Sequence, residues 1–154
     1  MTSMADLSVL VVDDVNTMRT QLKEIMRSIG IQKVLGVSNG EEAKLVLETE
    51  NIHLVVCDWH MSPTDGLEVL KFLRSHPTLG KTVGFLMLTA EGTKEKVLVA
   101  IQAGVDDYVM KPVSPAQVLA KIQNVMKKRN LESYDKVRPR CAPRVYYGID
   151  WLRA

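Results

Sequence analysis

Short apolar runs and helical periodicities alternate along residues 7–126. The runs at 7–12 and 54–57 show no polar alternation, which indicates strands buried on both faces of a sheet. Further short runs at 34–37, 83–88 and 108–110 complete a set of five predicted strands. Each run is followed by apolar residues at helical spacing. Five strands alternating with five helices predict an α/β domain with a doubly wound parallel sheet, right-handed crossovers and helices on both faces.

Capping and turn residues support the predicted helices. Asn39 followed by Glu42 is typical of a capping box at the start of the second helix. Ser114 as N-cap and Pro115 as first helical residue predict the start of the fifth helix. The third helix is expected to end near Pro77, because the residue before a proline is disfavoured in helical conformation.

Four of the predicted strands end in chemically reactive side chains. These are Asp13-Asp14, Asp58, Thr89 and Lys111. The carboxyl ends of parallel strands open on one edge of a sheet, so we expect these residues to converge. Two carboxylates 4 Å apart repel by about 4 kcal/mol at an effective dielectric of 20, and a cation must offset this. Mg²⁺, which prefers carboxylate, water and phosphate oxygens, is the natural candidate.

These residues resemble the motifs of receiver domains of two-component response regulators, above all the CheY-type receivers of chemotaxis. The motifs are Asp13-Asp14, Asp58-Trp59-His60-Met61 with Asp65-Gly66, Thr89-Ala90-Glu91, Gln102-Ala103-Gly104, and Tyr108 with Lys111-Pro112. The resemblance covers about residues 6–127 in family order. It implies a flavodoxin-like fold with sheet order 2-1-3-4-5.

The resemblance also implies a phosphorylation site. Asp58 would accept a phosphoryl group from a phosphohistidine on a partner histidine kinase. Asp14 would bind Mg²⁺ directly and Asp13 largely through water, with Asp58 and the backbone carbonyl of His60 completing the protein ligands. Mn²⁺ is expected to substitute for Mg²⁺. A carboxylate is a competent nucleophile at phosphorus, so the chemistry agrees with the implied role.

The remaining implied roles concern the response to phosphorylation. Lys111 would pair with Asp58 and then with the phosphoryl oxygens, and Thr89 would donate its hydroxyl to the phosphoryl group. Tyr108 would move inward with Thr89 and reshape the face made by the fourth helix, the fifth strand and the fifth helix. The Lys111-Pro112 bond is cis in this family.

Two positions depart from the family pattern. His60 stands where a small polar residue such as Asn is common, and its ring would lie beside the path of an attacking water. The family usually has Pro directly after Met61, whereas here Ser62 precedes Pro63. We expect a reshaped loop and an intact site. Glu91 either is favoured at a helix N-terminus by the dipole or, like His60, tunes dephosphorylation.

Charge and composition limit the function classes. The net charge is +2, but residues 1–126 carry 12 basic and 15 acidic residues, whereas residues 127–144 carry 7 basic and 2 acidic ones. We therefore expect no nucleic-acid partner, since the basic excess is confined to one short segment. No apolar run approaches the roughly 20 residues that span a bilayer, so no membrane insertion is expected. The two cysteines and the absence of a signal-like N-terminus favour a cytoplasmic location.

We expect a receiver domain at 1–128 and a C-terminal tail at 129–154 that is a linker, a docking segment or an artificial extension. The main hypothesis is a switch that is not an enzyme beyond its own phosphorylation and dephosphorylation. It would act in chemotaxis by binding a target such as the flagellar motor switch, with a phosphatase as a further partner. The alternative is the receiver part of a larger regulator with a DNA-binding or enzymatic output. An aspartyl phosphatase would need a second Asp at position 60, and a flavin module would need a Ser/Thr-rich loop after the first strand.

Overall fold

The computed structural model describes residues 4–90 and 92–129. Its five strands form one all-parallel sheet in the order β2-β1-β3-β4-β5, which confirms the predicted fold class and strand order. The strands are β1 (Ser8–Val12), β2 (Lys33–Val37), β3 (Leu54–Asp58), β4 (Gly84–Thr89) and β5 (Asp107–Met110). The register places Val12 beside Cys57 and Asp58 beside Leu88, so the strand ends lie level at one edge.

Six helices lie in the described part of the chain. They are α1 (Asn16–Ser28), α2 (Gly40–Thr49), α3 (Gly66–Ser75), α4 (Leu79–Thr82), α5 (Lys94–Ala103) and α6 (Pro115–Lys128), preceded by a 3₁₀ turn at Met4–Asp6. The single-turn helix α4 was not predicted, since four residues carry no measurable periodicity. The predicted fourth and fifth helices are therefore α5 and α6.

The predicted caps are present. The Asn39 side chain accepts from the Glu42 amide, and the Glu42 carboxylate accepts from the amide of Ser38, as in a capping box. Ser114 accepts from the Gln117 amide at the start of α6. Helix α3 ends before Pro77, as expected.

Alternation along the central strands builds two apolar layers. Val9 and Val11 of β1 face a cluster with α1 and α6, whereas Leu10 and Val12 face a cluster with α2, α3 and α5. The core residues of β1 and β3 are fully buried, as the uninterrupted apolar runs predicted. The sheet is therefore covered on both faces, and its carboxyl edge is left as the place for polar chemistry.

A buried ion-pair network closes the opposite edge of the sheet. The Asp106 carboxylate is fully buried and contacts Arg74 at 2.9 Å and Arg129 at 2.8 Å. It also accepts from the backbone amide of Phe85. Burial lowers the pKa of Arg74 to about 10, although Asp106 opposes the shift. The network joins α3, the start of β4 and the end of α6.

Some predictions fall outside the described residues or stay open. Glu91 and the tail 130–154 are not described, so the dephosphorylation role of Glu91 and the domain division stay predictions. Within the described residues, Cys57 is a buried free thiol. Among the described helices, none combines the length and the apolar character that crossing a lipid bilayer requires.

Candidate functional site

The predicted site residues meet at the carboxyl edge of the sheet. Asp13 follows β1, Asp58 ends β3, Thr89 ends β4 and Lys111 follows β5. The Lys111 amide donates to the Thr89 carbonyl at 2.8 Å, which joins the last two strand ends. Residues that are far apart in sequence are thus assembled by the parallel register alone.

Three carboxylates form the centre of this edge. Asp13, Asp14 and Asp58 each offer an oxygen, and these oxygens lie within 4.8 Å of one another. Asp13 and Asp58 are buried, whereas Asp14 is exposed. The cluster therefore has two inner oxygen donors and one donor that faces solvent.

Asp13 carries a buried oxygen that no described residue satisfies. Its Oδ1 accepts from the Val15 amide at 2.9 Å, whereas its buried Oδ2 accepts no hydrogen bond from any described residue. Burial raises the pKa of the Asp13 carboxyl, and the charges of Asp58 and Asp14 raise it further. The Val15 hydrogen bond and the ammonium of Lys111 oppose the rise. Asp13 does not cap α1, whose N-cap is Val15.

Among the described residues, Lys111 is the cation that pairs with the carboxylates of the cluster. Its Nζ lies 3.0 Å from Asp58 Oδ1 and 3.9 Å from Asp13 Oδ2. One ammonium against three ionised carboxylates leaves a formal charge of −2. The Lys111-Pro112 bond is cis, as the family resemblance implied.

The donor set fits a hard divalent cation. A buried carboxylate oxygen that accepts no hydrogen bond from a described residue, next to two more carboxylates, has the chemistry that Mg²⁺ requires, and a double positive charge balances the remaining −2. Asp13, Asp14 and Asp58 would hold the ion.

Thr89 and Tyr108 occupy neighbouring strands beside this cluster. The Thr89 side chain is buried at the end of β4. Tyr108 on β5 is half-buried and packs against the apolar cluster under α5. The Lys121 ammonium of α6 lies 5.4 Å from the centre of the Tyr108 ring. Their placement is compatible with the predicted switch roles, which stay predictions.

The loop from β3 to α3 carries the two departures from the family pattern. His60 is exposed, and the shifted Pro63 follows a second cis bond, Ser62-Pro63. Trp59, next to the predicted phosphorylation site, is buried, and its carbonyl accepts from the Gly66 amide at 2.9 Å. The Asp58–Gly66 spacing is retained.

Lys96 is a contact of the site that the sequence reasoning missed. Its ammonium lies 4.9 Å from the centre of the Trp59 ring, a cation–π distance that joins the first turn of α5 to the end of β3. No local signal marks this contact, because the two residues are distant in sequence and meet only through the sheet.

Comparison with known proteins covers the same stretch as the motifs. Residues 9–123 match the family described as response regulator receiver domain. Proteins from three strains of Campylobacter jejuni, each named a chemotaxis protein CheY homolog, are 34% identical over 121 residues. That alignment covers 78% of this chain and 92% of each relative.

Solved structures agree. Vibrio cholerae chemotaxis protein CheY4, crystallised at low pH, superposes with a TM-score of 0.73 at 27% identity and covers 79% of this chain and 99% of that one. A putative response regulator from Chloroflexus aurantiacus superposes with a TM-score of 0.74 at 31% identity, over 79% and 98% of the two chains.

Proposed function

Since this chain belongs to the response regulator receiver domain family, we propose that it is a signalling switch in which Asp58 accepts a phosphoryl group from a histidine kinase. The family membership confirms the resemblance inferred from the motifs. The observation that carries the proposal is the Lys111–Asp58 contact of 3.0 Å beside two further carboxylates.

The transfer needs little covalent help from the protein. An Asp58 oxygen forms the new O–P bond while the P–N bond to the kinase histidine breaks, and the imidazole keeps the electron pair and takes up a proton. Phosphoryl transfer depends mainly on positioning and charge neutralisation. Lys111 already neutralises one charge beside Asp58, and it can follow the phosphoryl oxygens after transfer.

Mg²⁺ would supply the remaining neutralisation and orient the phosphoryl oxygens when bound. Asp13 and Asp14 hold it in this proposal, together with Asp58 and the carbonyl of His60. Receiver domains typically bind Mg²⁺ at such an acidic pocket, and the orphaned Oδ2 of Asp13 supports the same role here.

The output is a change in partner binding. The added phosphoryl group brings negative charge and strong acceptors, which the hydroxyl of Thr89 and the ammonium of Lys111 can bind. Movement of Thr89 would release Tyr108 to pack inward and so alter the surface of α5, β5 and α6. A local change of charge would thereby bias a two-state element.

We place this switch in chemotaxis, with a flagellar motor-switch protein as target and a cytoplasmic location. The support is the 34% identity to proteins named as CheY homologs, over 92% of their length. The assay is binding of the purified motor-switch protein from the same organism before and after phosphorylation. Tighter binding of the phosphorylated form is expected, and equal affinity of both forms would refute the chemotaxis assignment.

The phosphorylation proposal is tested by intact-mass measurement after incubation with Mg²⁺ and acetyl phosphate or a phosphorylated kinase. The wild type should gain the mass of one phosphoryl group, and chelation of Mg²⁺ should abolish the gain. Asp58→Asn should gain nothing, whereas the control Asp6→Asn, at an exposed carboxylate away from the site, should behave as wild type. A phosphoryl group on Asp58→Asn would refute the assignment of Asp58.

A further inference from the structure

A buried hydroxyl in the β3–α3 loop is hydrogen-bonded to helix α2. Thr64 is only 5% exposed, and its Oγ1 donates to Glu41 Oε2 at 2.8 Å across 23 residues of sequence. The Thr64 side chain lies directly on Gly40. A Cβ at position 40 would come within 2.6 Å of Thr64 Cγ2 and 3.0 Å of Val69 Cγ2. Position 40 therefore tolerates only glycine while Thr64 keeps this place.

The acceptor of this bond is charged. The hydrogen bond from Thr64 lowers the pKa of the Glu41 carboxyl, and the ammonium of Lys44, 3.3 Å away, lowers it further. Glu41 is thus ionised at neutral pH, and its bond to Thr64 is charge-assisted. A buried hydroxyl loses free energy without a partner, so the Glu41 acceptor helps to hold Thr64 in place.

The rest of the loop is tied to two other helices. The Asp65 carboxylate caps α3, and the Gly66 amide binds the Trp59 carbonyl. Trp59 in turn lies under Lys96 of α5. Segment 59–65 therefore lies between α5 on one side and α2 on the other, and the Thr64–Glu41 hydrogen bond is a polar contact that ties it to α2.

We infer that Thr64 and Glu41 are positioning residues for the metal site, an inference that rests on the proposed function. The segment they hold contains His60, whose backbone carbonyl is a proposed ligand. When the bond is broken, the segment loses this polar contact with α2, and the carbonyl of His60 is held less rigidly. Neither Thr64 nor Glu41 touches the ion in this scheme.

The first test is calorimetric Mg²⁺ affinity. Thr64→Val has the same shape without the hydroxyl and should weaken binding roughly 10-fold, which is the low end of losses at outer-shell partners of metal sites. Thr64→Ser retains the hydroxyl and should stay within about twofold of wild type. Glu41→Ala should match Thr64→Val, and the double variant should be no worse than either single one, because both remove the same bond. Wild-type affinity in Thr64→Val, or additive losses in the double variant, would overturn the inference.

The second test works without metal and separates this inference from the proposed function. Amide hydrogen exchange of the metal-free protein should be faster in Thr64→Val than in Thr64→Ser, with the increase confined to residues 59–66. Equal exchange in the two variants, or an increase spread over the whole domain, would refute the positioning role. If the wild type binds no Mg²⁺ but the exchange increase in Thr64→Val is still confined to residues 59–66, the proposed function is refuted, and only the positioning of the loop by Thr64 and Glu41 stands.

Discussion

Replacing Asp13 by Asn should stabilise the metal-free protein while it abolishes the gain from Mg²⁺. The charge interactions of Asp13 largely offset one another. At an effective dielectric of 20, repulsion from Asp58, whose oxygen lies within 4.8 Å, amounts to at least about 3.5 kcal/mol, and attraction to Lys111 at 3.9 Å to about 4.3 kcal/mol. Asp14 is exposed, so its repulsion falls to about 1 kcal/mol in water-like surroundings.

The cost of burying the Asp13 charge therefore decides whether Asp13→Asn stabilises or destabilises the metal-free protein. Burial is the largest cause of the raised pKa of Asp13, and its Oδ2 has no hydrogen bond from a described residue to offset it. An Asn at this position removes the buried charge, retains the acceptor for the Val15 amide and offers an N–H to Asp58. We expect a net stabilisation of about 1–2 kcal/mol without metal, since mutational costs of burying polar groups run at about 1–3 kcal/mol. This corresponds to a rise in Tm of roughly 3–10 °C for a domain of this size.

The assay is urea unfolding at pH 7 in a chelator and again in saturating Mg²⁺. The wild type should gain about 2.7 kcal/mol when Mg²⁺ stands at 100 times its Kd, whereas Asp13→Asn should gain nothing, so the order of stabilities reverses. The control Glu24→Gln, at an exposed carboxylate on α1, should leave the free energy of unfolding unchanged in both conditions. A metal-free Asp13→Asn that is less stable than wild type would refute the reasoning.

The difference in unfolding free energy between the metal-free wild type and Asp13→Asn should depend on pH. The folded pKa of Asp13 lies above its ordinary value of 3.8, so the folded state binds this proton more tightly than the unfolded state does. The metal-free wild type should regain stability relative to Asp13→Asn as the pH falls through the raised pKa towards 3.8. The extra stability of Asp13→Asn is thus largest at pH values above the raised pKa of Asp13. A difference that stays constant between pH 7 and pH 4 would contradict burial of an ionised Asp13.

Three further outcomes follow from the described contacts. Lys111→Met should slow phosphorylation by acetyl phosphate roughly 10²–10³-fold, which is the usual cost of losing a charge-stabilising donor. A rate within about twofold of wild type in the mass assay would exclude a role of Lys111 in the transfer. Asp106→Asn should cost about 3 kcal/mol in urea unfolding, because it leaves the half-buried guanidinium of Arg74 without its carboxylate partner, and it should leave Mg²⁺ affinity at the opposite edge unchanged. A loss below about 1 kcal/mol would show that the network contributes little. His60→Asn should speed loss of the phosphoryl group by a factor of about 2–10, or about 0.4–1.4 kcal/mol, because it removes a ring beside the water path, and an unchanged decay rate would refute that role.

Local rules account for the elements that the sequence predicted correctly. The capping box at Asn39 and the cap at Ser114 act over three or four residues, so they are visible in the chain itself. Uninterrupted apolar runs report burial on both faces, as β1 and β3 show. Helix α4 has a single turn and no periodicity, and it was therefore missed.

Contacts between distant residues were beyond the reach of the sequence. Lys96 reaches Trp59, and Thr64 reaches Glu41, only because the sheet register brings α5, the β3–α3 loop and α2 together. The motif Asp13-Asp14 indicated two acids at the end of β1 without saying which one would be buried. The structure buries Asp13 and exposes Asp14.

The order of strands and helices and the chemistry at the strand ends were determined by the sequence, because periodicity, capping and motif spacing are short-range properties. Only the tertiary structure decided which carboxylate has a buried oxygen without a hydrogen bond from a described residue, and how far the Lys111 ammonium lies from Asp58 and from Asp13. It also decided which contacts hold the loop around His60. These features depend on distances of a few ångströms between separate segments, and such distances exist only once the parallel sheet has formed.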